Sequence, residues 1–401
     1  MSDANAPGAG ALSSATGTAD LKTALPALLA IAISVFVAIT TELLPVGLLP
    51  QIGADLGRSV TKVGVLVTIH AAMVAILSVP LTIWTKRVPR KQLLLITLVT
   101  FGLSSLLVAG APNFAVVAVG RALGGVSHAL FFAIALGYPA RLLRPRDLGK
   151  GLSITTAGMS LGFILGVPLA TALGVAVGWR WSFATVGVLA LVLCALVAKV
   201  LPAVPNPIPK TKAARSPGAL GAFTAVQTVN FLIFLGQYTV YTYISPILSA
   251  AGASTELIAP LLLVFGGMGV IGLFAVGTQI DVRPRRALFV TLAGFIAGLL
   301  LLHLSGSSLW ATIASASVWC IAFGAAPVFF STASMRTGAM SPDLSGAWIN
   351  STANIGIALG AVIGARVIEG FNIDAVSLAG AAIFAVCAIV VVFAKKGFPS
   401  H

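Results

Sequence analysis

The sequence predicts an all-α membrane protein: twelve transmembrane helices in two six-helix halves, with both termini cytoplasmic. Three observations carry this. Apolar residues make up 58% of the 401-residue chain and charged residues only 8%, with a mean hydropathy of +1.05. Soluble domains carry about 25% charged residues, so this chain has bilayer as its solvent. Twelve apolar stretches follow one another, each long enough to cross a hydrocarbon core about 30 Å thick. Finally, the chain repeats itself. Pro89-Arg90-Lys91 recurs as Pro284-Arg285-Arg286, 195 residues later, and Gly158, Gly162 and Gly166 recur as Gly356, Gly360 and Gly364, 198 residues later. Two marks in one order at nearly one offset indicate a duplicated unit. Parallel repeats with a site at their interface are a common architecture of secondary transporters.

The segments fall in order along the chain. The first, near 25–50, carries Glu42. The second, near 60–85, carries His70 and ends before the Pro89 mark, which opens the third, near 92–110. The fourth, near 114–138, holds Arg121 and His128. The fifth, near 151–176, holds the three glycines followed by Pro168, and the sixth, near 179–201, holds Cys194. In the second half the seventh, near 218–249, contains Gln237-Tyr238-Thr239-Val240-Tyr241-Thr242-Tyr243. The eighth, near 256–279, ends before Pro284, and the ninth, near 286–305, has His303 near its end. The tenth, near 309–338, carries Trp319, Cys320 and Phe323. The eleventh, near 343–368, carries Trp348, Asn350 and Asn354, and the twelfth, near 372–394, carries Cys387. The six-helix bundles therefore span residues 21–201 and 218–395. Residues 1–20, rich in Ala, Gly, Ser and Thr, read as a disordered tail rather than a signal peptide. Residues 202–217, proline-rich and basic, read as a cytoplasmic linker, and 396–401 as a short tail. The three cysteines sit in apolar runs at unrelated spacings, so no disulfide or metal framework is implied.

The net charge of +14 is a matter of sidedness rather than of nucleic acid. With the amino terminus inside, Arg58, Lys62, Arg180 and Arg366 fall outside and Arg121 lies within a segment. The remaining 19 of the 24 Lys and Arg fall inside, which is the positive-inside pattern. A basic inner face beside anionic lipid accounts for the charge.

Charges within the bilayer core are costly, so each is a functional candidate. Glu42 and Arg121 both lie about 12 Å below the outer surface, at 1.5 Å per residue from Pro50 and Asn113. At matched depth they can neutralise each other across neighbouring helices. His128 lies two turns deeper than Arg121 on the same face, and an imidazole titrates near physiological pH unless its surroundings perturb it strongly. This column suits proton coupling. The alternative is that the pair simply holds two helices together, with His128 as a plain hydrogen-bond donor. His70 reads as structural and His303 as interfacial. The second half lacks matching charges: at the 195 offset Glu42 corresponds to Gln237 and Arg121 to Ala316. Gln237, Tyr238, Tyr241 and Tyr243 suit a neutral polar ligand, or else an interfacial aromatic belt. Asn350 and Asn354 form another i, i+4 polar pair, with Trp348, Trp319 and Phe323 as a possible stacking wall. The glycine triplets permit close helix approach and, with Pro168, bending. No phosphate-cradling Gly-Lys-Ser/Thr loop, His-Glu-x-x-His or Gly-x-Ser-x-Gly is present. An enzyme is therefore not expected, and active transport would draw on an ion gradient, with no cofactor beyond protons.

These residues resemble the major facilitator superfamily over nearly the whole chain. Gly277-x-x-x-Asp281-x-x-Pro284-Arg285-Arg286 is similar to its loop motif between the second and third helix of a half. The first-half copy, Thr82 through Lys91 with Arg90, departs from it. Lys86 occupies the acidic position and Thr82 the glycine position, so the usual gating ion pair is not expected there. Arg121-Ala-Leu-Gly124-Gly125 resembles the fourth-helix arginine motif, which the family links to proton coupling. Gly158 to Pro168 resembles the antiporter motif, with Val167 splitting its Gly-Pro, and Gly178-Trp179-Arg180-Trp181-Ser182-Phe183 is also typical. Within the drug:proton antiporter branch, Thr41-Glu42-Leu43-Leu44-Pro45-Val46-Gly47-Leu48-Leu49-Pro50 resembles the first helix of SotB-type sugar efflux transporters. His128-Ala-Leu-Phe, Asn354-Ile-Gly-Ile and Tyr238 through Ile244 resemble the same group. The resemblance implies that helices 1, 4, 7 and 10 line a central cavity. The expectation is a monomeric, multi-pass exporter in a bacterial inner membrane, moving a small neutral sugar against protons. A drug or nucleoside antiporter of the same fold, or a membrane sensor that does not transport, are the alternatives.

Overall fold

The computed structural model describes residues 17–204, 218–280 and 283–393. The expectations for residues 1–16, for 205–217 of the linker, for Asp281 and for the tail 396–401 lie outside the described residues. Everything described is helical apart from short connections. Helix α1 (Leu21–Leu56) is capped by Asp20, whose carboxylate accepts from the Thr23 amide at 2.9 Å, and it stops at Gly57 with φ of 61°. Its 36 residues reach roughly 54 Å at 1.5 Å per residue, so it overruns the hydrocarbon core. It is followed by α2 (Val60–Trp84), α3 (Arg90–Ala109) and α4 (Phe114–Leu142). Helix α5 (Leu148–Leu161) runs through a π-helical turn at Gly162–Gly166 into α6 (Val167–Val177), and α7 (Trp179–Val200) completes the first half. The second half comprises α8 (Ala219–Tyr241), α9 (Ile244–Ala250), α10 (Thr255–Ile280), α11 (Pro284–Leu304), α12 (Leu309–Phe323), α13 (Ala326–Arg336), α14 (Pro342–Gly370) and α15 (Ala375–Phe393).

Prolines explain the breaks. Pro168, Pro246 and Pro327 lie in the first turns of α6, α9 and α13, where a missing N–H ends the preceding ladder. The tenth expected segment is therefore not one helix but two, α12 and α13. Among the described residues, eleven helical stretches are long and apolar enough to cross a membrane, and α12 is a shorter apolar helix. Bulky apolar side chains such as Trp84, Phe274, Leu304 and Trp310 point outward, as lipid contact requires. One apolar core runs through both halves, from Leu28 and Phe131 to Phe295 and Phe384. Thr18 and Ala19, placed in the tail by sequence, instead pair with the end of α4: Arg144 Nε donates to the Thr18 carbonyl at 2.7 Å and Ala19 N to that of Leu142 at 3.1 Å.

The repeat is visible in packing. Gly158, Gly162 and Gly166 press against α1. A Cβ on Gly158 would collide with the Ala32 carbonyl, one on Gly166 with the Thr40 hydroxyl, and one on Gly162 would lie 2.8 Å from Ile39 Cβ. Gly356 and Gly360 press in the same way on α8, where a Cβ would meet the Phe231 carbonyl at 2.6 Å and that of Leu235 at 2.7 Å; Gly364 meets Thr239. The expectation of close approach holds in both halves. The halves themselves meet along α2 against α14, and along the α5–α6 bend against α10. Lys91 Nζ donates to the Ala198 carbonyl at 2.8 Å and Arg285 Nη2 to that of Val392 at 2.8 Å. These equivalent caps lie one residue away from the register of the Pro-Arg match.

Gly158→Leu is expected to destabilise the purified protein by about 1–3 kcal/mol, the usual cost of overpacking a filled seam. Gly149→Leu, at a site with open space around its Cβ position, should leave the melting temperature unchanged. Equal melting temperatures for the two variants would show that the α1–α5 seam is not tightly packed.

Candidate functional site

The polar centre of the first half is built around a proline. A helical carbonyl normally accepts from the amide four residues on. Pro45 has no N–H, so the Thr41 carbonyl in α1 lacks that partner. Arg121 of α4 supplies it: Nη1 donates to Thr41 O at 2.6 Å, Nη2 to Glu42 O at 2.7 Å and Nε to Leu66 O of α2 at 3.4 Å. The guanidinium thus ties α1, α2 and α4 together through main-chain oxygens. The expected neutralisation of Glu42 by Arg121 takes a different form. Among the described residues the group at ion-pair distance from the Glu42 carboxylate is His128, with Nδ1 3.8 Å from Oε2. Side chains tilt toward the start of their own helix. Helices α1 and α4 run antiparallel, so Glu42 leans toward the level of His128.

A residue read as structural from the sequence joins this centre. His70 of α2 lies edge-on to His128, with ring centroids 5.5 Å apart. Helix α4 can approach because it carries Gly124 and Gly125. A Cβ on Gly124 would stand 3.4 Å from His70 Nδ1, and one on Gly125 would strike the His70 carbonyl. His128 stacks on Phe132 at 4.6 Å and meets Phe101 edge-on at 6.3 Å. The Gly124-Gly125 pair was the only linear signal for this contact, and it does not say which residue it admits.

Across the interface, Gln237 is buried and its Oε1 accepts from Trp319 Nε1 at 2.7 Å. Tyr241 lies against both Tyr238 and Trp319, at 5.9 and 6.1 Å between centroids. Tyr238 is within electrostatic range of Glu42, so the first-half acid and the second-half aromatics share one region. Tyr243 sits apart from them. It is fully buried, and its hydroxyl donates to the Ala361 carbonyl at 2.8 Å in the α14 seam. Asn350 Nδ2 donates to Ser78 Oγ at 3.1 Å, linking the halves. Asn354 Nδ2 donates to the Asn350 carbonyl at 3.0 Å, while its buried Oδ1 accepts no hydrogen bond. Trp348 does not extend the Trp319–Phe323 wall; it packs with Ala219, Phe223 and Ala339 at the start of α8. Nearer that end lies a network the sequence did not indicate. Asn230 Nδ2 donates to Thr352 Oγ1 at 2.9 Å, and Thr352 donates to Gln227 Oε1 at 2.8 Å.

The two ends of the interface are also joined. At the basic end, Asp343 of α14 accepts from Arg90 at 3.3 Å and from Arg141 at 2.8 Å. An ion pair does form at the first-half loop motif, therefore, but it reaches across to the other half. Its counterpart residue Arg285 makes the main-chain cap described above, Gly277 lies in α10, and Asp281 lies outside the described residues. At the opposite end, Ser245 Oγ donates to the Val46 carbonyl at 2.7 Å, the oxygen that Pro50 leaves free four residues on. Asp55 there holds Arg180 and accepts from Trp179 Nε1 at 3.2 Å. Pro168 is buried just beyond the π-helical turn of α5–α6.

A family model described as Major Facilitator Superfamily matches residues 31–347. The chain belongs to the Major Facilitator Superfamily. Its structure is similar to that of a D-xylose–proton symporter, at 16% identity and a TM-score of 0.73, covering 94% of this chain and 98% of that one. It is also similar to a bacterial homologue of the human lysosomal transporter Spinster, seen inward-facing and unoccupied, at 14% identity and a TM-score of 0.71, covering 95% and 98%. A third similar structure is a mutant of the nucleoside transporter NupG, at 12% identity and a TM-score of 0.70, covering 92% and 99%. Membership in this superfamily makes the chain a multi-pass membrane transporter rather than an enzyme, with a small-molecule substrate and lipid as its surroundings.

Arg121→Lys should destabilise the protein by about 1.5–3 kcal/mol, since one ammonium cannot replace a charge-assisted fork. In a Pro45→Ala background the same change should cost less, because residue 45 regains an N–H for Thr41. A double-mutant cycle on unfolding free energy measures the difference, expected at about 1 kcal/mol. Strict additivity would show that Arg121 does not depend on the proline.

Proposed function

We propose that this transporter exports a small neutral polar solute in exchange for protons, by alternating access in a bacterial inner membrane. The solute class is a sugar, such as arabinose or a thiogalactoside. The observation that carries the reading is the state of Glu42. It is a buried carboxylate whose neighbouring cation is turned onto the main chain, so the carboxylate is left to exchange a proton when the interface opens. An intramembrane acid of this kind is a functional site by default. Arg121 modulates Glu42 by fixing α1 against α4, and His128 is the group next in line for the proton. Recognition falls to the second half. Gln237, with Oε1 held by Trp319, offers its amide N–H groups; Asn354 Oδ1 offers a buried acceptor; Tyr238 and Tyr241 offer ring faces and hydroxyls. Tyr243 and Asn350 brace those groups through Ala361 and Ser78. The ion pairs of Asp343 with Arg90 and Arg141 and the bend at Gly158, Gly162, Gly166 and Pro168 supply the gate and the flexing element. The run of rings from Phe234 through Tyr238 and Tyr241 to Trp319 favours one second reading, a multidrug or nucleoside antiporter with a greasier cavity.

A ligand panel of sugars, nucleosides, chloramphenicol and lipophilic cations, read by thermal shift and then by efflux, tests the substrate class. Stabilisation by sugars alone is expected, and stabilisation only by lipophilic cations would overturn the sugar reading. Glu42→Gln should bind solute but fail to concentrate it against its gradient; concentrative efflux by this variant would remove Glu42 from coupling. Gln237→Ala and Tyr241→Phe should each weaken binding about two- to twelve-fold, the value of one neutral hydrogen bond. Unchanged affinity in both would move recognition to the first half.

A further inference from the structure

We propose that Glu42, His70 and His128 form a binding site for one divalent transition-metal ion of the zinc class. One donor atom from each lies within 4.8 Å of the others, and the three come from three helices, α1, α2 and α4. The site is closed to water: the three residues are 6%, 1% and 2% exposed. It is also unsatisfied. Neither ring nitrogen of His70 nor His128 Nδ1 makes a hydrogen bond of good geometry, although the Arg121 main chain lies beside His70 and the Asn350 side chain beside His128. Buried imidazole nitrogens are normally paired, so two such rings, each with one nitrogen within 4.8 Å of a buried carboxylate, call for an occupant.

A proton shared between Glu42 and His128 would satisfy one nitrogen and leave both of His70 bare. A metal ion engages all three side chains together. Two imidazole nitrogens and one carboxylate oxygen suit zinc, cobalt, nickel or copper, and three protein ligands leave a position open. Calcium and magnesium prefer all-oxygen shells. Arg121 stands nearby and repels hard cations held by charge alone, which leaves ions that form donor bonds with imidazole. Donors around a tetrahedral ion with bonds of about 2.05 Å stand about 3.3 Å apart. Glu42 Oε2 and His128 Nδ1, at 3.8 Å, are within side-chain rotation of that spacing. Because Arg121 is spent on the Thr41 and Glu42 carbonyls, the Glu42 carboxylate remains available as a ligand. The site shares Glu42 with the coupling role proposed above, but its occupancy does not depend on that role.

The test is cobalt titration of the metal-stripped full chain in detergent, purified without a histidine tag and followed by visible ligand-field absorption with zinc as competitor. One equivalent of cobalt should bind, and zinc should displace it. His70→Ala and His128→Ala should each weaken binding by more than about a hundredfold, beyond the roughly ten- to hundredfold that loss of an outer-shell partner costs. His303→Ala should leave it unchanged, since that ring lies at the end of α11 against the Asp374 carbonyl. No saturable binding by monodisperse wild-type protein, or binding that survives both substitutions, overturns the site. If an alanine variant does not stay monodisperse, X-ray absorption on the zinc-loaded wild type decides. Scattering from two imidazoles supports the site, and its absence refutes it.

Discussion

A proline inside a membrane helix frees a carbonyl that lipid cannot satisfy, and in α1 this happens at the level of Glu42 and Arg121. Pro45 bares the Thr41 oxygen, and the Arg121 guanidinium takes it together with that of Glu42. The bond solves two problems at once. It pairs a buried carbonyl, and it gives a permanent cation a seat without consuming the one acid nearby. Everything else in the first-half centre follows from this division. The Glu42 carboxylate leans away to His128, and Gly124 and Gly125 bring His70 of α2 alongside. Pro50 repeats the device one level outward, where the freed Val46 oxygen accepts from Ser245 of the other half.

The two halves share packing but not chemistry. Glycine triplets in α5 and α14 press on α1 and α8 in the same manner, so the scaffold is duplicated. The polar groups set on it have diverged. The first half places an acid, a cation and two imidazoles where the second places Gln237, Trp319 and tyrosines. In the proposed function, a duplicated frame with unlike centres has one half handle charge and the other a neutral solute, while Asp343 and Ser245 hold the ends together.

Much of the fold was legible because lipid forces it. Only helices and closed barrels satisfy their backbone in a bilayer, and apolar runs of about 20 residues fit helices rather than strands, so hydropathy drew the segments, and the glycine spacing marked the seams. The shared level of Glu42 and Arg121 was legible from rise per residue. Their bonding was not, because it depends on the missing N–H of Pro45 and on opposite side-chain tilts in antiparallel helices. His70 was read as structural because its partners lie on other helices, and no spacing within α2 reports them. The tenth segment looked continuous in hydropathy, yet Pro327 and the contact of Gly324 with Gly269 of α10 divide it. Arg90 was legible as a loop-motif residue, but its partner Asp343 is 253 positions away and outside any motif.

In the proposed cycle, solute movement is coupled to the Glu42 proton. This coupling is tested most directly by recording internal pH in proteoliposomes when a solute chosen by binding is added, without any imposed proton gradient. Proton movement opposite to the solute is expected in the wild type and none with Glu42→Gln. Solute flux with no accompanying pH change in the wild type would contradict it.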